Sequence, residues 1–220
     1  MLRAAPNLAN QETLVRIREL CQRGQSGERT AAVIATGHAG LDAALPGGGW
    51  PCGAITELMP GSTGIGELSL VLPALAAVAR AGKYHAWIAP PHLPCPQALA
   101  QRGLALDHLL LIHTADTAAT LWAAEQLLRC ASVGAVLAWP AALDERRVRR
   151  LQLAAEAGGG CGFIYRPASA AAVSSPAALR LRLANTAQGL RIDIQKSRGG
   201  SAREAPIYAV VVHPASQAAA

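Results

Sequence analysis

The stretch Gly53-Ala-Ile-Thr-Glu-Leu-Met-Pro-Gly-Ser-Thr-Gly-Ile-Gly-Glu67, which an apolar run continues to Ala81, decides the fold. Residues 54–58 are apolar or β-prone apart from Glu57, and they predict a short buried strand. A glycine-rich turn follows, and the pattern after it predicts a helix from about Glu67. Strand, glycine-rich loop and helix in this order is the layout of a phosphate-binding P-loop.

The loop lacks the side chains that a working P-loop uses. Such a loop needs a lysine to reach the β- and γ-phosphates and an adjacent Ser or Thr to hold Mg²⁺, whereas this chain has Gly66 and Glu67 there. A like charge ~4 Å from a phosphate costs about 4 kcal/mol at an effective dielectric constant near 20. We therefore expect no nucleotide here, with the Glu67 carboxylate at the helix N-terminus instead. A plain strand–helix turn without nucleotide ancestry fits these residues equally well. The degenerate loop consists of Gly61, Ser62, Thr63, Gly64, Gly66 and Glu67.

Length and composition favour a single α/β domain. Of the 220 residues, 51% are hydrophobic and 15% are charged, which is too apolar for a disordered protein. The five cysteines are scattered without a C-x-x-C pair and predict neither a disulfide framework nor a zinc site. Dispersed histidines predict no other metal site. With no signal peptide or membrane span predicted, we expect a cytoplasmic protein.

Positive charge is concentrated in the second half of the chain. Residues 146–203 contain 11 basic and 2 acidic residues, which indicates either a surface for DNA or an acidic partner, or simply a solvated face. Residues 144–151 predict an arginine-rich helix. The strictly alternating segments 179–185 and 190–196 predict an antiparallel hairpin that carries its charges away from the core. The basic candidates for partner or DNA contact are Arg146, Arg147, Arg149, Arg150, Arg180, Arg182, Arg191, Lys196 and Arg198.

The N-terminal segment predicts an amphipathic helix over residues 10–23, with Leu14, Ile17 and Cys21 at helical spacing. A polar linker over residues 24–30 separates it from the rest of the chain. We therefore predict a helix and linker over 1–30, a core domain over 31–213 and a short tail over 214–220. The helix packs either on a partner, such as a second copy of the chain, or on its own domain.

Residues 36–45, Thr-Gly-His-Ala-Gly-Leu-Asp-Ala-Ala-Leu, precede a glycine-rich turn and the segment Gly-x-Ile-Thr-Glu-Leu. This order resembles the opening of the RecA ATPase core. Combined with the missing P-loop lysine, it resembles the ImuA family over about residues 31–212. The resemblance implies an α/β fold with a RecA-like core: a mostly parallel central sheet, helices on both faces and an antiparallel C-terminal extension.

The same resemblance implies that two further parts of the ATP site are lost. RecA-type ATPases carry an activating glutamate after the strand that corresponds to residues 84–89, where this chain has Pro90, Pro91 and His92. They carry a metal-binding aspartate at the end of the strand that corresponds to residues 134–139, where this chain has Trp139. We therefore expect a protein that is not an enzyme, with no catalytic residue, cofactor or metal.

The resemblance further implies a non-catalytic adaptor in the damage-induced translesion DNA synthesis assembly, or mutasome. Its implied partners are ImuB and, in addition, RecA or the DnaE-type error-prone polymerase. Recognition is expected through the N-terminal helix, the arginine-rich helix and the hairpin. Three alternatives stay open: a cell-division inhibitor of the SulA type, a residual nucleotide-binding switch, and direct DNA binding with an affinity that falls steeply with salt.

Overall fold

In the computed structural model, Val15 and residues 33–200 and 206–209 are described. The β-strands are β1 (Val33–Ile34), β2 (Trp50–Pro51), β3 (Ala54–Pro60), β4 (Tyr84–Ile88), β5 (Leu109–Ile112), β6 (Val133–Ala138), β7 (Cys161–Tyr165), β8 (Leu179–Thr186), β9 (Gly189–Ser197) and β10 (Ile207–Ala209). The α-helices are α1 (Ala39–Asp42), α2 (Leu72–Arg80), α3 (Pro96–Gln101), α4 (Thr117–Leu128) and α5 (Glu145–Gly158). Short 3-10 helices cover Leu106–His108 and Ala168–Ala172.

Eight strands form one central sheet in the order β10-β9-β8-β3-β7-β6-β4-β5. The six strands from β8 to β5 in this order are parallel to one another. Strands β9 and β10 extend the sheet in antiparallel fashion at one edge. The predicted mixed α/β fold, with a mostly parallel central sheet and an antiparallel C-terminal extension, is confirmed.

A hydrophobic core lies on each face of the sheet. One core contains Leu75 of α2 with Trp87 and Phe163 of the sheet, and the other packs α4 and α5 against the opposite face through residues such as Leu127 and Leu151. Every residue of β6 is buried, because a central parallel strand between two helical layers has no solvent-facing side. No helix in the described part of the chain combines the length and the apolar character that crossing a bilayer requires.

Residues 36–42 form a closed turn that packs against the sheet. The Thr36 amide donates a hydrogen bond to Asp42 Oδ1 at 2.7 Å, and Leu41 is fully buried. Gly37 has a φ of +80°, and a Cβ added to it would lie 2.5 Å from Pro73 Cβ. This close approach and the left-handed backbone both require glycine, so the motif has a structural role in this chain.

Candidate functional site

The degenerate loop leaves β3 at Pro60 and continues as a series of turns before α2 begins. The prediction that the helix starts at Glu67 is wrong, because α2 begins at Leu72 with Pro73 in its first turn. Gly64 and Gly66 have φ values of 81° and 96°, which a right-handed helix does not accommodate. Proline in the first turn suits a helix start.

The Glu67 carboxylate therefore does not lie at a helix N-terminus, as the sequence had predicted. Its Oε1 atom accepts a hydrogen bond from the Gly64 amide at 2.9 Å, within the loop itself. The main-chain oxygen of Glu67 accepts a hydrogen bond from the Tyr165 hydroxyl at 3.4 Å. The carboxylate thus engages a loop amide that a P-loop would direct at a phosphate.

A cleft of about 330 Å³ opens beside the loop, at the carboxyl ends of β3, β6 and β7. This is the edge at which parallel α/β sheets commonly bind ligands. The Trp139 and Tyr165 rings both line the cleft and stack on each other, with centroids 4.4 Å apart and planes 6° from parallel. Burial raises the pKa of the Tyr165 hydroxyl well above its usual range. Four prolines, at positions 60, 91, 140 and 167, also line the cleft.

Polar residues also line this cleft, namely Ser62, Thr63, Glu67 and Arg166. Trp139 follows β6 directly, at the position for which the sequence predicted it, and His92 is exposed in the loop after β4. Among the residues that the structure describes, no group of three His, Cys, Asp or Glu side chains could hold a metal ion. The paired aromatic rings of the cleft can stack an apolar or planar group.

Glu57 lies at the centre of β3 and is completely buried. Its Oε1 atom accepts hydrogen bonds from Arg166 Nη1 at 2.7 Å and Ser175 Oγ at 2.8 Å. Its Oε2 atom accepts one from Arg180 Nε at 2.7 Å. A buried carboxylate is tolerated only when charge and hydrogen bonds compensate it in this way.

The ion cluster around Glu57 fixes the chain segment that follows β7. Arg180 Nη2 donates to the Ala170 carbonyl at 2.7 Å, Arg166 Nη2 donates to the Leu143 carbonyl at 2.9 Å, and Lys196 Nζ donates to the Ser175 carbonyl at 2.7 Å. The expectation that Arg180 faces away from the core is therefore wrong, since this residue is only 6% exposed. The cluster was not predicted from the sequence, although the lone glutamate in the apolar strand β3 is a signal for it.

Helix α5 presents the four arginines of the predicted arginine-rich helix on its exposed side. It begins after Asp144, whose side chain accepts a hydrogen bond from the Arg147 amide at 2.8 Å. Arg147 and Arg150 form ion pairs with Asp144 and Glu125. Arg146 and Arg149 make no ion pair among the described residues, so their charges are available to a partner.

The other basic candidates are distributed over the antiparallel edge. Arg182 is exposed on β8, Arg191 pairs with Asp193 at 3.0 Å on β9, and Arg198 reaches Glu156 of α5 at 3.7 Å. Leu14, Ile17 and Cys21 of the predicted N-terminal helix lie outside the described residues, so the predicted self-association through that helix stays a prediction.

Comparison with known proteins identifies a family. The family model for the cell division inhibitor SulA matches residues 53–162, half of the chain. SulA from Serratia marcescens is 30% identical over 115 residues, which are 52% of this chain and 68% of that protein. Three further SulA proteins are matched over 55 to 61% of their own length.

Two other comparisons concern RecA and a solved structure. RecA from Bacillus thuringiensis is 32% identical over 114 residues, which are 52% of this chain but only 33% of that protein. The crystal structure of SulA from Pseudomonas aeruginosa is 25% identical and matches with a TM-score of 0.44. The match covers 51% of this chain and 97% of that one.

Proposed function

Because the chain belongs to the SulA family of cell division inhibitors, we propose that it inhibits cell division by binding a protein of the division machinery. The partner that we propose is FtsZ, which SulA-family proteins bind. The observation that carries this proposal is the family match over residues 53–162, which runs from the turn before β3 to the start of β7 and includes α4 and α5. An inhibitor that acts by binding needs no catalytic group, which agrees with the expected absence of enzymatic activity.

The family membership corrects three expectations. Assignment to the ImuA family is wrong, because the family model that matches is that of SulA. The expected role as a mutasome adaptor is therefore also wrong. The same holds for the expected partners, which were ImuB, RecA and the DnaE-type polymerase. The predicted link to DNA damage fits the SulA family, whereas the predicted role in translesion synthesis finds no support. The cell-division inhibitor that stood among the alternatives is the better interpretation.

A RecA-like origin of the core, with an ATP site that has lost its function, belongs to the same proposal. The similarity to RecA over 114 residues supports such an origin. The loss of nucleotide chemistry is supported by the engagement of Glu67 with the Gly64 amide and by the Trp139–Tyr165 stack in the cleft. In this proposal the cleft is the remnant of an ancestral nucleotide site.

We place the partner surface on the exposed side of α5. Arg146 and Arg149 carry charge without an ion pair among the described residues, and Leu153, one turn further along, is 54% exposed. Cationic groups around an exposed apolar side chain suit a partner surface that is apolar at its centre and acidic at its rim. Helix α5 also lies inside the family-matched residues, whereas the hairpin that carries Arg182 lies outside them. Direct DNA contact by these arginines stays a prediction.

The test measures binding of the full chain to purified FtsZ by biolayer interferometry, together with cell length after induced expression in a rod-shaped bacterium. We expect measurable binding and elongated cells. The double variant Arg146→Glu/Arg149→Glu should weaken binding by about tenfold or more, because it reverses two charges at the contact. Arg182→Glu, an exposed change on β8, is the matched control and should bind like the unchanged chain.

The possible outcomes distinguish an error in the proposed function from an error in the proposed partner surface. If the chain neither binds FtsZ nor lengthens cells, the proposed function is wrong. If it does both, but Arg182→Glu weakens binding while the α5 variant does not, the function stands and the assignment to α5 is wrong.

A further inference from the structure

Two cysteines that are far apart in the sequence meet at the start of β7. Cys161 is the first residue of β7 and is buried, while Cys52 lies in the turn before β3 and is half-buried. Their Sγ atoms are 3.2 Å apart and share a hydrogen bond. The approach is fixed by the backbone, because β3 and β7 are adjacent parallel strands and the Gly53 amide donates to the Gly160 carbonyl at 3.0 Å.

We propose that Cys52 and Cys161 form a redox-responsive pair, which a small-molecule disulfide such as oxidised glutathione converts into an intramolecular disulfide. The Cys52 thiolate attacks one sulfur of the oxidised glutathione, forms a mixed disulfide and releases one glutathione thiolate. The Cys161 thiol then loses its proton to solvent, and its sulfur attacks Cys52 Sγ and displaces the second glutathione thiolate. The two thiolates take up the two protons that the cysteines lose. The cysteine pair is thereby oxidised by two electrons, and the glutathione disulfide is reduced by two.

The surroundings of the pair assign the first attack to Cys52. This residue lines a cleft of about 180 Å³ together with Arg198, so a reagent can approach it from outside. The hydrogen bond from Cys161 lowers the pKa of the Cys52 thiol against the opposing effect of burial, and the charge of Lys83 lowers it further. The Arg198 side chain is 60% exposed, and its guanidinium attracts the carboxylates of oxidised glutathione.

Cys161 has the properties of the second, resolving thiol. The hydrogen bond with Cys52 and burial in the sheet raise the pKa of its thiol well above the usual range. A buried thiol with a raised pKa reacts slowly with reagents in solution. It can still attack a sulfur that the fold already holds in van der Waals contact, since Cys52 Sγ is its immediate neighbour.

The bond would connect the two ends of the family-matched part of the chain, residues 53–162. The turn that contains Cys52 is also held by α5, because Gln152 Nε2 donates to the Gly53 carbonyl at 3.2 Å. A disulfide that closes so long a loop restricts the unfolded chain and stabilises the folded state. We therefore expect the oxidised protein to have a midpoint of thermal unfolding about 5 °C above that of the reduced protein.

The test uses the full chain, first reduced and then incubated with mixtures of reduced and oxidised glutathione. Free thiols are alkylated with iodoacetamide, and the tryptic peptides are analysed by mass spectrometry. Trypsin cleaves after Lys and Arg but not before proline, so Cys52 lies in the peptide 30–80 and Cys161 in the peptide 151–180, each without another cysteine. We expect a disulfide-linked pair of these two peptides that disappears on treatment with dithiothreitol.

Two variants sharpen the test. Cys52→Ser, a change of a half-buried residue, should abolish the linked peptide, and under the same oxidising conditions it should unfold about 5 °C below the unchanged chain while its circular dichroism spectrum stays the same. Cys95→Ser is the matched control, since Cys95 is exposed and its thiol donates to Gln97 Oε1 at 3.2 Å, and it should form the linked pair like the unchanged chain. The proposal is overturned if both peptides remain fully alkylated at an excess of oxidised glutathione, or if Cys52 stops at a stable mixed disulfide with glutathione.

Discussion

Glu57 places a buried carboxylate in the middle of the otherwise uncharged strand β3. Arg166 and Arg180 compensate its charge from one side each, at 2.7 Å. Arg180 lies directly opposite Glu57 on the neighbouring strand β8, so the register of the two strands and the ion pair depend on each other. The pair therefore makes a slipped register costly, because any slip leaves a charge buried without its partner.

Replacing Arg180 by leucine should destabilise the fold by about 3 kcal/mol, because it leaves the buried Glu57 with only one cationic partner. The free energy of unfolding is measured by urea denaturation at neutral pH. Arg182→Leu is the control, since Arg182 is exposed two residues further along the same strand and should cost less than about 0.5 kcal/mol. Equal effects of the two changes would contradict the role given to the ion cluster.

Because His85 is buried, we expect the free energy of unfolding to decrease in mild acid. Burial, together with the smaller effect of the nearby His108, lowers the pKa of His85 from 6.5 to about 4. Between these two values the unfolded chain binds a proton that the folded chain does not, so stability falls as the pH decreases from 6.5 towards 4. The difference between the two pKa values corresponds to a change of about 3 kcal/mol in the free energy of unfolding.

The measurement compares the free energy of unfolding at pH 7.5 and pH 4.5 for the unchanged chain and for His85→Leu. The variant lacks the titrating group and should lose less stability over this interval, by about 2 to 3 kcal/mol. Other histidines contribute the same background to both proteins. Parallel pH profiles for the two proteins would show that His85 does not carry the acid sensitivity.

At the scale of elements, the loop between β3 and α2 should bind no nucleotide. Helix α2 begins five residues after Glu67. Its N-terminus is therefore not at the loop position where a P-loop helix would bind phosphate. Titration of ATP or ADP with Mg²⁺ into the protein should give no binding heat, and a hydrolysis assay should show no turnover. A RecA protein studied under the same conditions is the positive control. Binding at micromolar concentration would show that the loop is a working nucleotide site despite its sequence.

For the whole molecule, patterns that repeat over short distances could be predicted from the sequence. The apolar run at residues 134–139 predicted β6, and the alternating segments around the turn at Gly189 predicted the β8–β9 hairpin. The arginine-rich helix predicted from residues 144–151 is confirmed as the first part of α5, which begins after Asp144 and ends with a left-handed cap at Gly159. Each of these signals depends on neighbouring residues only.

Contacts that depend on the register of distant strands could not be predicted in the same way. Glu57 and Arg180 are 123 residues apart, and Cys52 and Cys161 are 109 apart. No local pattern connects the members of either pair. Arg180 was therefore expected at the surface, because alternation in β8 distinguishes two faces but does not show that both faces are covered. The family was also misassigned, since the opening motif at residues 36–45 resembles RecA-type cores in general.

The strands that follow the family-matched residues complete the interior of the sheet. The match ends at residue 162, yet β8 pairs with β3 in the interior of the sheet, and Leu179, Leu181 and Leu183 of β8 are at most 1% exposed. A chain that ends at residue 176 would expose the edge of β3 and remove Arg180 from the buried Glu57.

We therefore expect the fragment 1–176 to lose its cooperative thermal transition, although it contains the whole matched segment. Circular dichroism at increasing temperature measures this. A chain that ends at Ala209 keeps every strand of the described sheet and should unfold cooperatively like the full chain. Cooperative unfolding of the shorter fragment would mean that β3 tolerates a free edge and that Arg166 alone compensates Glu57. The β8–β9 hairpin would then be an addition to a core that is already complete.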